Sequence, residues 1–244
     1  MVVKLAELDD MKSDLIATVS HDLRSPLTVI QGMGKTLANR WGELSEETRA
    51  ELLGRVNRNA DALAATISNL LDVSQLEAGV EARREAFDVG ELVRRSVDRL
   101  ATLFGGRRVS VAADLGLFVM ADPRLIERVI DNLVSNAAKH TPETAHVTIT
   151  AAALDGTGEA RVAISDDGPG IARADLEHLG ERFYRGSDAV TRRTRGTGLG
   201  LAVARELVEL HGERLEIDSA PGRGSTFAFR LPLVGENHGD LTSP

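Results

Sequence analysis

Apolar residues recur every three or four positions from Leu8 through Met11, Leu15, Val19, Leu23 and Leu27 to Ile30. That period lays them along one stripe of an α-helix, which should run to about Asn39. The pattern already holds in residues 1–12 with no helix-start residue before them, so an upstream sensor or membrane module is expected. Residues 40–44 make a turn. Ser45 followed by Glu46 and Glu47 is a favourable start for a second helix. Leu52, Val56, Leu63, Ile67, Leu70 and Leu71 form its apolar stripe, and Gly79 suits its end. Two antiparallel helices cannot bury two stripes by themselves. The pattern therefore predicts a four-helix bundle shared between two copies of the chain, a homodimer.

After Gly79 the periodicity changes. Residues 81–86 read as a short charged linker between a helical hairpin (1–80) and a second domain (87–234); a polar, loose tail follows at 235–244. Asp88-Val89-Gly90-Glu91 is a capping box for a helix to about Leu103. Asp122-Pro123 opens another, to about Ala138. Strands are expected at 109–112, 117–121, 147–154, 161–166, 215–219 and 226–231, with a helix over 199–211 stopped by Gly212. Helices with a mostly antiparallel sheet predict an α/β sandwich, so the chain as a whole is of the α+β class. Residues 167–198 lack strong periodicity, and a stretch that long is usually a lid or a loop.

Composition narrows the function. A net charge of -8 disfavours a nucleic-acid binder. The absence of cysteine removes disulfides, thiolate metal sites and cysteine nucleophiles. No apolar run reaches the roughly 18 residues a membrane helix needs, and no signal peptide opens the chain. The reading is a cytoplasmic-type chain with no membrane segment of its own.

Four stretches carry candidate chemistry. His21 lies two residues from both Val19 and Leu23, which at about 100° per residue puts it on the wet side of the first helix. Asp22 adjoins it, Arg24 and Ser25 share its face, and Pro26 should bend the helix beside it. Taken alone, an exposed histidine is more often just that; its company argues for a site. Asn132 and Asn136, four apart, share a helix face with Lys139. Amide oxygens suit Mg²⁺ already neutralised by phosphate, and a lysine suits phosphate itself. In Asp166-Asp167-Gly168-Pro169-Gly170-Ile171, a strand-end carboxylate can accept from an exocyclic amine, and glycines let the backbone approach a flat base. Gly196-Thr197-Gly198-Leu199-Gly200-Leu201 leads into a helix whose bare N–H groups favour phosphate. Each stretch is weak alone; the last three in this order point to a nucleotide. Gly34-Lys35-Thr36 is not a P-loop, because the required glycine position holds Val29.

These stretches resemble the transmitter core of sensor histidine kinases, over about residues 14–233. The segment from His21 to Leu27 is similar to that family's phosphoacceptor box. Residues 132–140 resemble its N box, 166–171 and 196–201 its two glycine boxes, and Glu181-Arg182-Phe183-Tyr184-Arg185 its phenylalanine box. The resemblance implies a dimeric helical hairpin followed by a Bergerat-type ATP-binding domain, with ATP and Mg²⁺ bound. By it, His21 is the phosphoacceptor and Asp22 orients its ring. Asn136 would ligate Mg²⁺, Asn132 and Lys139 would lie near the phosphates, and Asp166 would accept from the adenine amine. Gly168, Gly170, Gly196, Gly198, Leu199 and Gly200 would shape the nucleotide site, and Arg185 would reach the γ-phosphate. Ser25 replaces the Thr or Asn common four residues after the histidine, which leaves phosphatase activity open, and His140 stands where an aromatic residue is common.

The implied activity is autophosphorylation of His21 by ATP, then transfer to an aspartate of a response regulator receiver domain. Two rivals share parts of the pattern. One is a non-kinase ATPase clamp of the same nucleotide fold; the other is a silent scaffold that docks a regulator. The exposed His21 beside Asp22 on a dimer-type hairpin argues against the first, and the intact motifs against the second.

Overall fold

In the computed structural model, which describes Ser20, residues 23–182, Tyr184 and residues 198–234, the chain divides into two units, Met1–Gln75 and Leu76–Pro244. In the first, residues 23–40 form a helix, α1, that continues through a buried Pro26. A 3₁₀ turn at Trp41–Glu43 reverses the chain. Arg49 closes that turn: its Nε donates to the Trp41 carbonyl at 2.9 Å, and its guanidinium lies 4.8 Å from the centre of the Trp41 ring. α2 (Glu46–Glu77) then begins where expected, with the Ser45 hydroxyl accepting from the Thr48 N–H at 3.2 Å. Gly79 ends it at φ +74°, its N–H on the Leu76 carbonyl.

One copy does not cover the hairpin's apolar stripe. Leu27, Leu53, Ile67 and Leu71 remain 43–58% exposed, although they recur at helical spacing. Fully burying such a side chain is worth about 1.5–3 kcal/mol, so covering what each of these still exposes is worth roughly half that. Of the described residues anticipated as a seam for a second copy, Leu27, Ile67 and Leu71 are exposed, while Leu23, Ile30, Leu52, Val56, Leu63 and Leu70 are half-buried; Leu53 adds to the exposed apolar surface.

The second unit opens with β1 (Glu85–Asp88). Its pattern is too short and too charged to read as a strand locally; pairing with β3 (Phe118–Ala121) creates it. α3 (Val89–Leu100) has its expected cap, the Asp88 carboxylate accepting from the Glu91 N–H at 3.1 Å, but it tightens into a 3₁₀ turn at Ala101–Phe104 instead of running on. β2 (Arg108–Ala113), α4 (Pro123–His140), β4 (His146–Leu154) and β5 (Glu159–Asp166) follow. Then come the short α5 (Arg173–Leu176), α6 (Gly200–Leu210), β6 (Glu216–Ser219) and β7 (Ser225–Pro232). The five-stranded sheet has the order β2-β4-β5-β7-β6, parallel between β2 and β4 and antiparallel elsewhere.

Alternation along β4 shows how the sheet meets the helices. Val147, Ile149 and Ala151 are buried, while His146, Thr148 and Thr150 between them are half-buried. Ile126, Val129, Ile130 and Leu133 of α4 and Ala202, Val203, Leu207 and Val208 of α6 are essentially inaccessible. α4 packs directly on α6. Asn132, Asn136, Lys139 and Gly200 thus sit on two helices packed against each other, while Asp166, Gly168 and Gly170 lie at the end of β5 and in the loop after it. No helix among the described residues is long and apolar enough to cross a membrane.

Candidate nucleotide site

α4 begins at Asp122, whose carboxylate accepts from the N–H groups of Arg124 at 3.0 Å and Leu125 at 3.3 Å. Burial pushes that carboxyl up, but N–H donors from Arg83, Leu125 and Arg124, with the Arg124 charge, outweigh it and hold it below the usual carboxylate range. Two turns on, Asn132 and Asn136 are half-buried on the face that also carries Lys139. The Asn132 amide nitrogen is fully buried with no hydrogen-bond partner among the described residues. A buried donor left unmade costs about 1–3 kcal/mol, so this atom is a standing offer to an acceptor. Lys139 keeps much of its surface in solvent, yet the protein around its ammonium holds its pKa below the ordinary lysine range. An adjacent anion would oppose that shift.

The end of α4 touches the loop after β5. Thr141 donates to the Ala137 carbonyl at 2.7 Å, and a Cβ on Gly168 would lie 3.1 Å from its methyl group. The same Cβ would come 2.7 Å from the Asp166 carboxylate, which accepts the Gly168 N–H at 2.9 Å. The two adjacent aspartates divide their work. Asp167 accepts from the His146 N–H at 2.7 Å, at the start of β4. Asp166 is left half-buried; burial, with the neighbouring Asp167 charge, lifts its carboxyl above the usual range despite the N–H groups of Gly168 and Ser225. A carboxylate so placed gains most from a new hydrogen-bond donor.

Gly170 is obligatory on two counts: φ is +68°, and a Cβ there would lie 1.9 Å from the Ala220 carbonyl oxygen. In the sequence, Pro221-Gly222-Arg223-Gly224 reads only as a turn between the strands expected at 215–219 and 226–231. In the structure, a Cβ on Gly224 would meet the Asp166 carbonyl oxygen at 1.8 Å, so this turn buttresses the Asp166 backbone. Ser219 completes the support, accepting from the Ile171 N–H and donating to the Gly224 carbonyl, both at 2.9 Å. The paired glycines of that turn were the available signal.

Gly198 (φ +68°) and the buried Leu199 lead into α6, whose first turn has no side-chain cap. Its opening N–H groups, beginning at Gly200, are those suited to an anion. The structure thus brings the Asp166–Gly170 loop to the end of α4 and packs α4 on α6. His21, Asp22, Arg185 and Gly196 lie outside the described residues; Ser25 is half-buried on α1 in the first unit.

Two protein families match this chain. The His Kinase A (phospho-acceptor) domain covers residues 11–79, and the histidine kinase-, DNA gyrase B- and HSP90-like ATPase covers residues 121–235. The chain is 36% identical over 228 residues to the histidine protein kinase DivJ of Caulobacter vibrioides, which takes in 91% of this chain but only 38% of DivJ. The solved structure of the mycobacterial sensor histidine kinase MprB is 31% identical, with a TM-score of 0.55 over 61% of this chain and 98% of that one. Full-length ShkA, solved in complex with AMPPNP, is 27% identical with a TM-score of 0.62 over 91% of this chain and 46% of that one. The phosphoacceptor match over the helical hairpin also disfavours the ATPase-clamp reading, whose fold accounts only for the second unit. A helical phosphoacceptor region followed by this mixed α/β ATPase domain, with relatives of both kinds in the same order, makes the chain a member of the sensor histidine kinase family.

Proposed function

We propose that this chain is a cytoplasmic transmitter core that binds ATP in its second unit, phosphorylates His21 in its first, and passes the phosphoryl group to an aspartate of a response regulator. The observation that supports it most is the buried amide nitrogen of Asn132, without a hydrogen-bond partner among the described residues, on the same helix face as Asn136 and Lys139. These groups fit a nucleotide with its metal. The unmade Asn132 donor matches a phosphate oxygen, the neutral Asn136 amide oxygen matches Mg²⁺, and Gly168 lets its loop pack close against Asp166 and Thr141. Asn136 would hold the ion, with Asn132 and Lys139 on the phosphates. Asp166 would accept from the adenine amine, Gly168 and Gly170 would form the wall behind the base, and Gly196, Gly198, Leu199 and Gly200 would border the phosphates, with Arg185 on the γ-phosphate. Mg²⁺ would supply charge neutralisation at the phosphoryl oxygens.

The reaction is a phosphoryl transfer. An unprotonated imidazole nitrogen of His21 attacks the γ-phosphorus, a P–N bond forms, the bond to the β–γ bridging oxygen breaks, and ADP leaves with those electrons. Asp22 accepts from the other ring N–H and so presents the attacking lone pair. Positioning and charge stabilisation carry this step, since little covalent work falls to other side chains. The receiver aspartate then takes the phosphoryl group from the imidazole. A second copy of the chain would cover the exposed hairpin stripe, and Ser25 leaves hydrolysis of the regulator's phosphate open.

Incubation of the chain with labelled ATP and magnesium tests the reading: an acid-labile, alkali-stable adduct is expected, and label released only as free phosphate would defeat it. Asn136→Asp is expected to lower the autophosphorylation rate at limiting magnesium by about 10-fold, because a second negative charge beside the phosphates repels them while keeping a metal-binding oxygen. Unchanged turnover in that variant would remove Asn136 from the metal role.

A further inference from the structure

The residues entering the second unit do not simply trail into it. The Arg83 N–H donates to the Asp122 carboxylate at 3.0 Å, on the oxygen not used to cap α4. The Arg84 guanidinium donates to the His211 carbonyl at 3.0 Å, where α6 ends. Those two anchor points also bond each other: the Asp122 backbone N–H donates to His211 Nε2 at 3.0 Å. Because Nε2 must accept, Nδ1 carries the proton, and it donates to the Leu207 carbonyl at 2.8 Å. Asp122 is 1% exposed and His211 4%. Val80–Ala82, just upstream, make no hydrogen bond among the described residues.

We propose that Asp122 and His211, clamped by Arg83 and Arg84, form a socket that fixes the axial register of α4 against α6, making all four positioning residues for the nucleotide site. This rests on the function proposed above. An α-helix is stiff along its axis, so fixing one end fixes the other. The start of α4 is pinned to the end of α6, and the nucleotide-candidate groups lie toward the opposite ends: Asn132, Asn136 and Lys139 along α4, and Gly200 at the start of α6. A slip of one helix past the other would part the phosphate-facing N–H groups from the Asn face. The socket also makes Asp122 serve three N–H donors at once, more than a helix cap requires.

The test uses the whole chain with His211→Phe, which keeps a ring but no acceptor, and Arg84→Gln, which removes the guanidinium. The KM for ATP in the labelling reaction is expected to rise about 5-fold in each, with the maximal rate within about two-fold, as befits loss of one hydrogen bond's worth of positioning. Affinity for a fluorescent ATP analogue should fall in parallel, and Arg84→Lys should restore both. A lowered melting temperature with unchanged KM and analogue affinity would overturn the proposal. Should His211→Phe not fold, Arg84→Gln decides alone, since it leaves the buried ring intact. The unsubstituted chain is titrated first: no nucleotide binding there defeats the proposed function and this inference together, whereas binding that the variants do not alter defeats only the inference.

Discussion

Replacing His21 by glutamine is expected to reduce labelling from ATP to below about 1% of the parent chain while leaving nucleotide affinity within about two-fold. Glutamine keeps much of the size and hydrogen-bonding capacity of imidazole. Its amide nitrogen has no free lone pair, so no phosphoramidate can form. Two of the described histidines are poor substitutes. Both ring nitrogens of His211 are engaged in a buried site, and His146 shares a 2.8 Å bond with the Ser110 hydroxyl. Acid-labile phosphoprotein persisting in His21→Gln would mean a different acceptor and would remove His21 from the mechanism.

What the sequence showed and what it hid divide along a physical line. Local signals held where the cause is local. The Ser45, Asp88 and Asp122 caps are where side-chain oxygens meet orphan N–H groups a few residues on, and the alternation of β4 comes from its own pleat. Features created by distant partners were silent. β1 exists because Glu85–Asp88 finds β3, and the role of Gly224 depends on the Asp166 backbone arriving within van der Waals reach. Within the Asp166-Asp167 pair, only the fold tells the two carboxylates apart: Asp167 takes an N–H from β4, a strand that precedes it by some twenty residues, and Asp166 takes those of Gly168 and Ser225. The socket at Asp122 and His211 was equally invisible: a cap and a helix-ending histidine are ordinary features until their contact is seen.

Asp166→Asn should weaken nucleotide affinity by about 10–100-fold without lowering the melting temperature. The two halves of this result have one cause. The Asp166 carboxyl is raised above its usual pKa by burial, with Asp167 adding to the effect, so it binds its proton more tightly folded than unfolded. A carboxyl raised in this way contributes stability that is fully present below its unfolded pKa of about 3.9 and lost as pH rises through the folded value. At neutral pH the ionised group is therefore a strain on the empty domain, and a neutral amide relieves it. Asparagine can keep the acceptor for the Gly168 N–H, whose bond to Asp166 is 2.9 Å. It then turns an NH₂ donor toward the place where an exocyclic amine donates, so two donors face each other and one buried bond is lost. In the parent chain, analogue affinity should also fall on acidification at higher pH than an ordinary aspartate would cause, and that dependence should flatten in Asp166→Asn. A titration series of both proteins across pH, paired with thermal melts without nucleotide, checks every part; a variant that melts lower but binds normally would show that Asp166 braces the loop and does not receive the base.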